Sequence, residues 1–554
     1  MAYWGGIARK RLATRDAFDI AAALLLALLA ALIVVTFRQY SISNDEGVQQ
    51  RYGELIIAYY ASGFADRALF AFDNLYLYGG LFDVAATLLS KVVPLDLYDL
   101  RHLLCAFAGL GGIAATWATA RMVAGTRAGF LAAAILAVSG PWYGTMFNHT
   151  KDIPFAAAMM GATCFLLRLA RDLPRPRGRD VVLFGLLLGA ALGLRVLGLL
   201  MVVYVPIAAT VGLWCRAAAD PRLDRAGLCR AALAITPALL LAYLIMIAAW
   251  PWAALGLFNP VRALVAFSQF HYPIRTILAG HVYPMADVPR WYVPFYLSIR
   301  LPLPTLAGAA LGLIVAVVPR LIGAKPSVRL RAEVGLLAFT ALFPPLCHVI
   351  GHGPAFTGLR HFLFVVPPLT VLAAIGWDAT LTRLAFGNRA AALGAAGALA
   401  AAFAWNGILL ARLHPYEYLF YNPLVGGLPG AAGRYVTDYW VGILPEALDR
   451  LESRLAHESS GVAAHRRPYY VAVCAERAQF DNTPHGALRW TRDAARADFF
   501  IAPTHMHCDR ALDGRTIVKI ERLGTLIGVV KDRRSITRPG LAQNRASTVS
   551  RPAQ

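Results

Sequence analysis

Two adjacent carboxylates, Asp45 and Glu46, follow the first long apolar run of the chain within Ser43-Asn44-Asp45-Glu46-Gly47. Ionisable groups at the edge of a bilayer are costly to desolvate, so they tend to face a water-filled cavity and to work there. A carboxylate beside an acceptor hydroxyl can take its proton as a general base. Cations are a separate need, because a phosphate leaving group develops charge that must be stabilised. Arg360, followed by His361 at the start of an apolar run, suits a lipid phosphate. Arg195 interrupts an apolar run, which is expensive unless its guanidinium is paired or functional. The plainer alternatives are hydration for Asp45 and Glu46, and snorkelling for Arg195.

The other unusual polar residues share this placement at the outer ends of apolar runs. They are Asn148, His149, Lys151 and Asp152; His348, His352, Arg360 and His361; and His414, Tyr416 and Glu417. One outward-facing cavity lined by carboxylates and cations fits them all. In Lys151-Asp152-Ile153-Pro154-Phe155, proline fits the first turn of a helix, where its missing N–H is harmless, and Asp152 suits the positive helix end. Capping alone is the alternative role for Asp152. Tyr52, His149, His414 and Glu417 are candidates for contact with the acceptor or for lining the cleft. The histidines have no zinc spacing, and nothing in the sequence requires a metal. Asn148-His149-Thr150 matches a glycosylation sequon but falls close to the bilayer.

The elements that must position these groups are membrane spans. Over 554 residues, 58% are hydrophobic and 15% charged, and the mean hydropathy is +0.54, too apolar for a soluble protein of this size. Apolar runs near 18–37, 101–120, 128–146, 153–170, 181–195, 197–214, 231–250, 302–319, 333–350, 363–381 and 391–410 predict about eleven transmembrane helices. The run at 181–195 is the shortest. A net charge of +21 does not point to nucleic acid, because Lys and Arg cluster between alternate runs, as at Arg9 to Arg15, Arg168 to Arg179, Arg216 to Arg230 and Arg320 to Arg331. Such a pattern reports cytoplasmic loops. It puts Asp45-Glu46, the 251–300 loop and the C-terminal tail on the outer face.

The first outer segment, 39–100, is dense in aromatic residues and reads as interfacial helices. No cleavable signal peptide is evident, so the first run acts as an anchor. The chain therefore divides into a membrane domain at 1–411, a small outer α/β domain at 412–532 and a disordered tail at 533–554. Tyr469-Val473, Phe499-Ile501 and Thr516-Ile520 read as strands, and Leu444 onward as a helix. Cys474 and Cys508 are the two cysteines of the outer tail; an oxidising compartment would allow them to bond, though spacing alone does not establish it.

Across roughly 18–410 the chain resembles the GT-C membrane glycosyltransferases, in particular the branch of protein O-mannosyltransferases and the lipid A aminoarabinose transferase. The resemblance rests on Asp45-Glu46, the aromatic segment behind it, the stretch Asn148 to Phe155 and the basic residues at later helix ends. The tail, with His414-Pro415-Tyr416-Glu417-Tyr418, Tyr421-Asn422, Gly426-Gly427 and Asp438-Tyr439-Trp440, is similar to tails of bacterial relatives. The resemblance implies transfer of a sugar from a polyprenyl phosphate to a lipid, glycan or protein acceptor at the periplasmic face of a bacterial inner membrane. Asp45 would activate or position the acceptor, with Glu46 in support and Asp152 as the second acidic position. Lys151, Arg195, Arg360 and His361 would hold the donor phosphate. It implies single displacement with inversion and no required cofactor; a divalent cation is the alternative that Asp45, Glu46 and Asp152 leave open. No segment is long enough for the β-trefoil insertion of eukaryotic protein O-mannosyltransferases, so the resemblance does not single out protein among these acceptors and the acceptor is open. A lipid or lipid-linked sugar transporter is the competing reading, against which stands the concentration of polar residues at one membrane face.

Overall fold

The computed structural model describes residues 16–217, 225–269, 274–317, 327–353, 355–459, 468–486 and 488–537. In chain order the longer helices of the first half are α1 (Ala17–Thr36), α2 (Glu46–Ala61), α3 (Leu81–Leu89), α4 (Leu97–Ala124), α5 (Thr126–Ala137), α6 (Asp152–Asp172), α7 (Gly178–Leu192), α8 (Met201–Ala217), α9 (Arg225–Ala249) and α10 (Asn259–Ser268). A hairpin of β1 (Arg275–Leu278) and β2 (His281–Pro284) follows. Its turn residues, Ala279 and Gly280, both have positive φ, as a tight two-residue hairpin turn requires. Then come α11 (Tyr292–Arg300), α12 (Leu303–Val317), α13 (Val328–Gly351), α14 (Val366–Gly387) and α15 (Arg389–Leu413).

Each of the eleven apolar runs contains a helix among its described residues, but not all are long enough to cross a membrane. Among the described residues, eight helices pass by length and composition, or nine if α11 and α12, bent by 117° at their junction, count as one. The run expected at 128–146 is helical without interruption only over the 12 residues of α5. Ser139-Gly140-Pro141 follows, and proline cannot continue the hydrogen-bond ladder. The run at 181–195 is the 15-residue α7. The basic positions at 9–15, 222, 320 and 325 lie outside the described residues.

Two elements form the centre of the bundle. The apolar windows of α6 and of the segment Arg360–Gly387 are 83% buried, against 22% for α1 and 17% for α15. Helix α14 is gripped closely: a Cβ on Gly376 would come within 2.2 Å of the Gly308 carbonyl, and one on Gly312 within 2.2 Å of the Leu372 carbonyl. Small residues of this kind let membrane helices approach backbone to backbone. These two enclosed elements begin with Asp152 and Arg360, so the best-supported helices carry two of the expected site residues at their ends.

After α15 the chain forms α16 (Leu444–Ser459), β3 (Tyr469–Val473), α17 (Arg477–Asn482), β4 (Leu488–Trp490), β5 (Phe499–Pro503), β6 (Arg515–Arg522) and β7 (Thr525–Asp532). The sheet order is β4-β3-β5-β7-β6, with β3 parallel to β4 and β5, and β7 antiparallel to β5 and β6. Leu444, Leu448 and Leu451 of α16 close one face over Val471, Phe499, Ile501 and Val530. Strands β4 and β7 are additions to the three read from sequence. In β7 the burial is nearly continuous instead of alternating, which hides its period. Cys474 and Cys508 form a disulfide. A short helical turn spans Arg534–Thr537, and the expected tail lies outside the described residues from 538 onward.

Candidate active site

Asp45, Asp152, Arg195 and Arg360 form one connected ion cluster. Arg360 donates through Nε to Asp152 Oδ2 at 3.0 Å and through Nη2 to Asp45 Oδ2, while Arg195 Nη2 donates to Asp152 Oδ1. Asp152 is 3% exposed at its side chain and Asp45 38%, so Asp45 is the carboxylate that solvent or an acceptor can reach. Capping does not account for Asp152, because both of its oxygens are taken by guanidinium groups.

Local chain geometry puts each group in place. Asp45 occupies the N-cap position of α2 without making a side-chain cap, which leaves its carboxylate free for Arg360. Asp152 is the first residue of α6 and Arg360 the first of a 3-10 turn, Arg360–Val365, that leads into α14. Arg195 lies just past α7 in an extended conformation, before a second 3-10 turn at Val196–Leu200. The first outer segment is laced to this break: Leu81 N–H donates to the Gly193 carbonyl at 3.1 Å, and a Cβ on Gly79 would fall 2.0 Å from that carbonyl oxygen. Only glycine fits at position 79.

Glu46 turns away from Asp45. It is fully buried, accepts the Ser43 N–H at 2.7 Å, and faces His102 Nε2 at 3.3 Å and Arg101 Nε at 3.9 Å. Arg101 continues to Asp83 at 2.9 Å and Gln50 at 3.1 Å, and Lys151 Nζ stands 3.8 Å from Asp83. Glu46 and Lys151 thus belong to a second, enclosed cluster behind the first. Burial pulls the Lys151 ammonium down from its ordinary range. Its Nζ lies 4.9 Å from the Tyr78 ring and 5.7 Å from that of Tyr52, whose hydroxyl donates to the Tyr78 carbonyl. Asp83, Arg101 and Tyr78 were not among the residues expected from sequence. The available signals were a lone acid in the apolar helix Leu81–Leu89 and an Arg-His pair inside the first turns of α4.

Three further expected residues divide between two places. His149 is buried beside the ion cluster, with Nδ1 3.7 Å from Asp152 Oδ2 and Nε2 accepting from Trp440 Nε1 at 2.7 Å. Burial pushes its pKa down to about 3, so the ring is neutral at ordinary pH. The neighbouring Asn148 side chain is buried and donates to the Ser41 carbonyl, which removes the sequon. His414 and Glu417 pair with each other at 2.7 Å and with Gln39 and Tyr40, a separate cluster that joins the end of α1 to the end of α15.

Beside the ion cluster is a cavity of about 290 Å³ whose wall is mainly apolar, including Leu197, Leu200, Phe362 and Phe364, with Tyr78, Arg195, His348 and His361 among its polar lining. The buried Nε of Arg195 has no hydrogen-bond partner. Burial pushes the Tyr78 phenol up to about 12, which keeps it a hydrogen donor. Among the described residues, no three His, Cys, Asp or Glu side chains are grouped to hold a metal ion.

The described helices thus form a multi-pass bundle with charged groups gathered at helix ends beside an apolar cavity. Residues 101–252 match the family described as dolichyl-phosphate-mannose-protein mannosyltransferase, which bears out the resemblance to the GT-C membrane glycosyltransferases. That segment contains Arg101, His149, Lys151, Asp152 and Arg195. The chain is similar in structure to ArnT from Cupriavidus metallidurans bound to undecaprenyl phosphate, with 15% identity, 92% of this chain and 97% of that chain covered, and a TM-score of 0.47. It is also similar to the archaeal oligosaccharyltransferase AglB from Archaeoglobus fulgidus in complex with an inhibitory peptide and a dolichol-phosphate, with 12% identity, 87% and 69% covered, and a TM-score of 0.46. No curated protein matches the sequence.

Proposed function

We propose that this protein transfers a sugar from a polyprenyl-phosphate donor to an acceptor on the periplasmic face of a bacterial inner membrane, with inversion and with Asp45 as general base. One observation carries the reading: the half-exposed Asp45 is joined through Arg360 to Asp152 and Arg195, and Arg195 lines an apolar cavity with an unpartnered N–H. The apolar wall suits the isoprenoid chain, and Arg195, Arg360, His361 and the Tyr78 hydroxyl suit its phosphate. As the bond from the anomeric carbon to the phosphate oxygen breaks, the guanidinium groups neutralise the charge that develops on the leaving group. Asp45 takes the proton of the attacking acceptor hydroxyl. No divalent cation is assigned a step. The family match over residues 101–252 supports the class of reaction.

The test is transfer of radiolabelled sugar from a panel of polyprenyl-phosphate sugars by the purified protein in lipid, with total membrane lipid as acceptor. Wild type and Asp45→Asn are compared with and without chelator. Transfer that survives chelator and falls roughly 10²- to 10⁴-fold in the variant is the expected result. Folded wild-type protein that releases no lipid phosphate from any donor, yet moves labelled lipid between leaflets, would replace this reading by transport.

A further inference from the structure

Arg360 is held from an unexpected direction. Its guanidinium carbon lies 4.5 Å from the centroid of the Trp440 ring, and Trp440 comes from the segment beyond the last membrane helix. Nε is taken by Asp152, Nη2 by Asp45 and one face by the indole. Nη1 makes no hydrogen bond to any described residue. The indole is fixed in turn. Its N–H donates to His149 Nε2 at 2.7 Å, so the neutral imidazole carries its hydrogen on Nδ1, toward Asp152. The Trp440 carbonyl accepts from Gln479 Nε2 at 3.0 Å, and the same amide reaches Ser41 at 3.2 Å. Asp438 caps the following turn, accepting the Tyr418 hydroxyl and the N–H groups of Gly442 and Ile443.

We propose that Trp440 is a positioning residue: by stacking on Arg360 it aims the free Nη1 edge at the phosphate of a polyprenyl-phosphate ligand. This rests on the function proposed above. A cation over the face of a desolvated indole is attracted to it, and that contact opposes rotations that would turn the guanidinium away. Phe at this position keeps a ring over Arg360 and loses the indole N–H; Leu loses both.

The experiment measures binding of undecaprenyl phosphate to the full chain in lipid nanodiscs, together with sugar transfer. The proteins compared are wild type, Trp440→Phe, Trp440→Leu, Arg360→Lys and the double variant Trp440→Leu/Arg360→Lys. The expected result is a dissociation constant about tenfold weaker for Trp440→Leu and within about threefold of wild type for Trp440→Phe. In the Arg360→Lys background the Leu substitution should change it less than about twofold, because the two residues act as one unit. An equal loss in both backgrounds would mean that Trp440 only supports the fold, and would overturn the proposal. So would unchanged binding by Trp440→Leu. Wild-type protein that binds the lipid phosphate but transfers no sugar would defeat the glycosyltransferase reading while leaving the binding comparison to decide the role of Trp440. Wild-type protein that does neither would end both.

Discussion

Asp45 and Glu46 are neighbours in sequence and belong to different charge clusters. The Asp45 cluster is open on one side, with 38% of that side chain exposed and an apolar cavity alongside. The Glu46 cluster is sealed, with Glu46, Asp83 and Arg101 each at 1% exposure or less. Similar groups at similar distances therefore face opposite requirements. The base proposed at Asp45 must meet its substrate, whereas a buried ion network must keep water and ligands out and satisfy itself internally. Exposure separates the two roles here where residue type cannot.

Substitutions on the two sides should have opposite consequences. Asn at position 45 should remove nearly all transfer, as above, while the midpoint of thermal unfolding in lipid stays close to wild type. Arg101→Met should do the reverse. Removing one partner strands Glu46 and Asp83 in an enclosed site and should cost about 3–5 kcal/mol of stability, read as loss of folded protein in a thermal-unfolding or size-exclusion assay. A well-folded Arg101→Met protein with no activity would break the comparison, because it would put the sealed cluster in the chemistry.

Acid titration probes two histidines, one of them buried beside the open cluster. Burial holds the pKa of His149 at about 3 and that of His505 at about 4, both below the ordinary value near 6.5. The unfolded chain therefore binds more protons between those limits, so the stability these rings contribute is complete above about pH 6.5 and is lost as pH falls toward 3. The unfolding temperature should drop between pH 7 and pH 5, and His149→Gln should flatten the drop. An unchanged slope in that variant would show that His149 is not held neutral by the fold. The smallest effect belongs to Glu46→Gln, which can still accept the Ser43 N–H and loses only its charge. About 1–2 kcal/mol of stability is at stake, and kcat should stay within about threefold of wild type.

The sequence displayed the open cluster better than the sealed one. Asp45, Asp152, Arg195 and Arg360 each interrupt or border an apolar run, and a charge there is costly enough to stand out. Asp83 and Arg101 stand in equally apolar surroundings, but an acid on a short interfacial helix and an arginine at a span's first turn are ordinary features of membrane proteins. Only the packing of α3 against α4 makes them partners. Asp438-Tyr439-Trp440 was visible as a motif, yet its meeting with His149, 291 positions away, is a matter of tertiary structure. Helix existence was legible for every apolar run; span length was not, because Ser139-Gly140-Pro141 and Gly193 end two helices early.

The indole that covers Arg360 has a consequence for how this chain can be divided or exchanged. A chain cut after α15 would be no smaller version of the same protein, since one wall of the charged cleft would be missing. Recombination between relatives with a crossover anywhere from 361 to 439 would unite a guanidinium from one parent with a ring from another. Chimeras should therefore tolerate tail exchange only where the partner tail brings an aromatic side chain to the same point over the arginine.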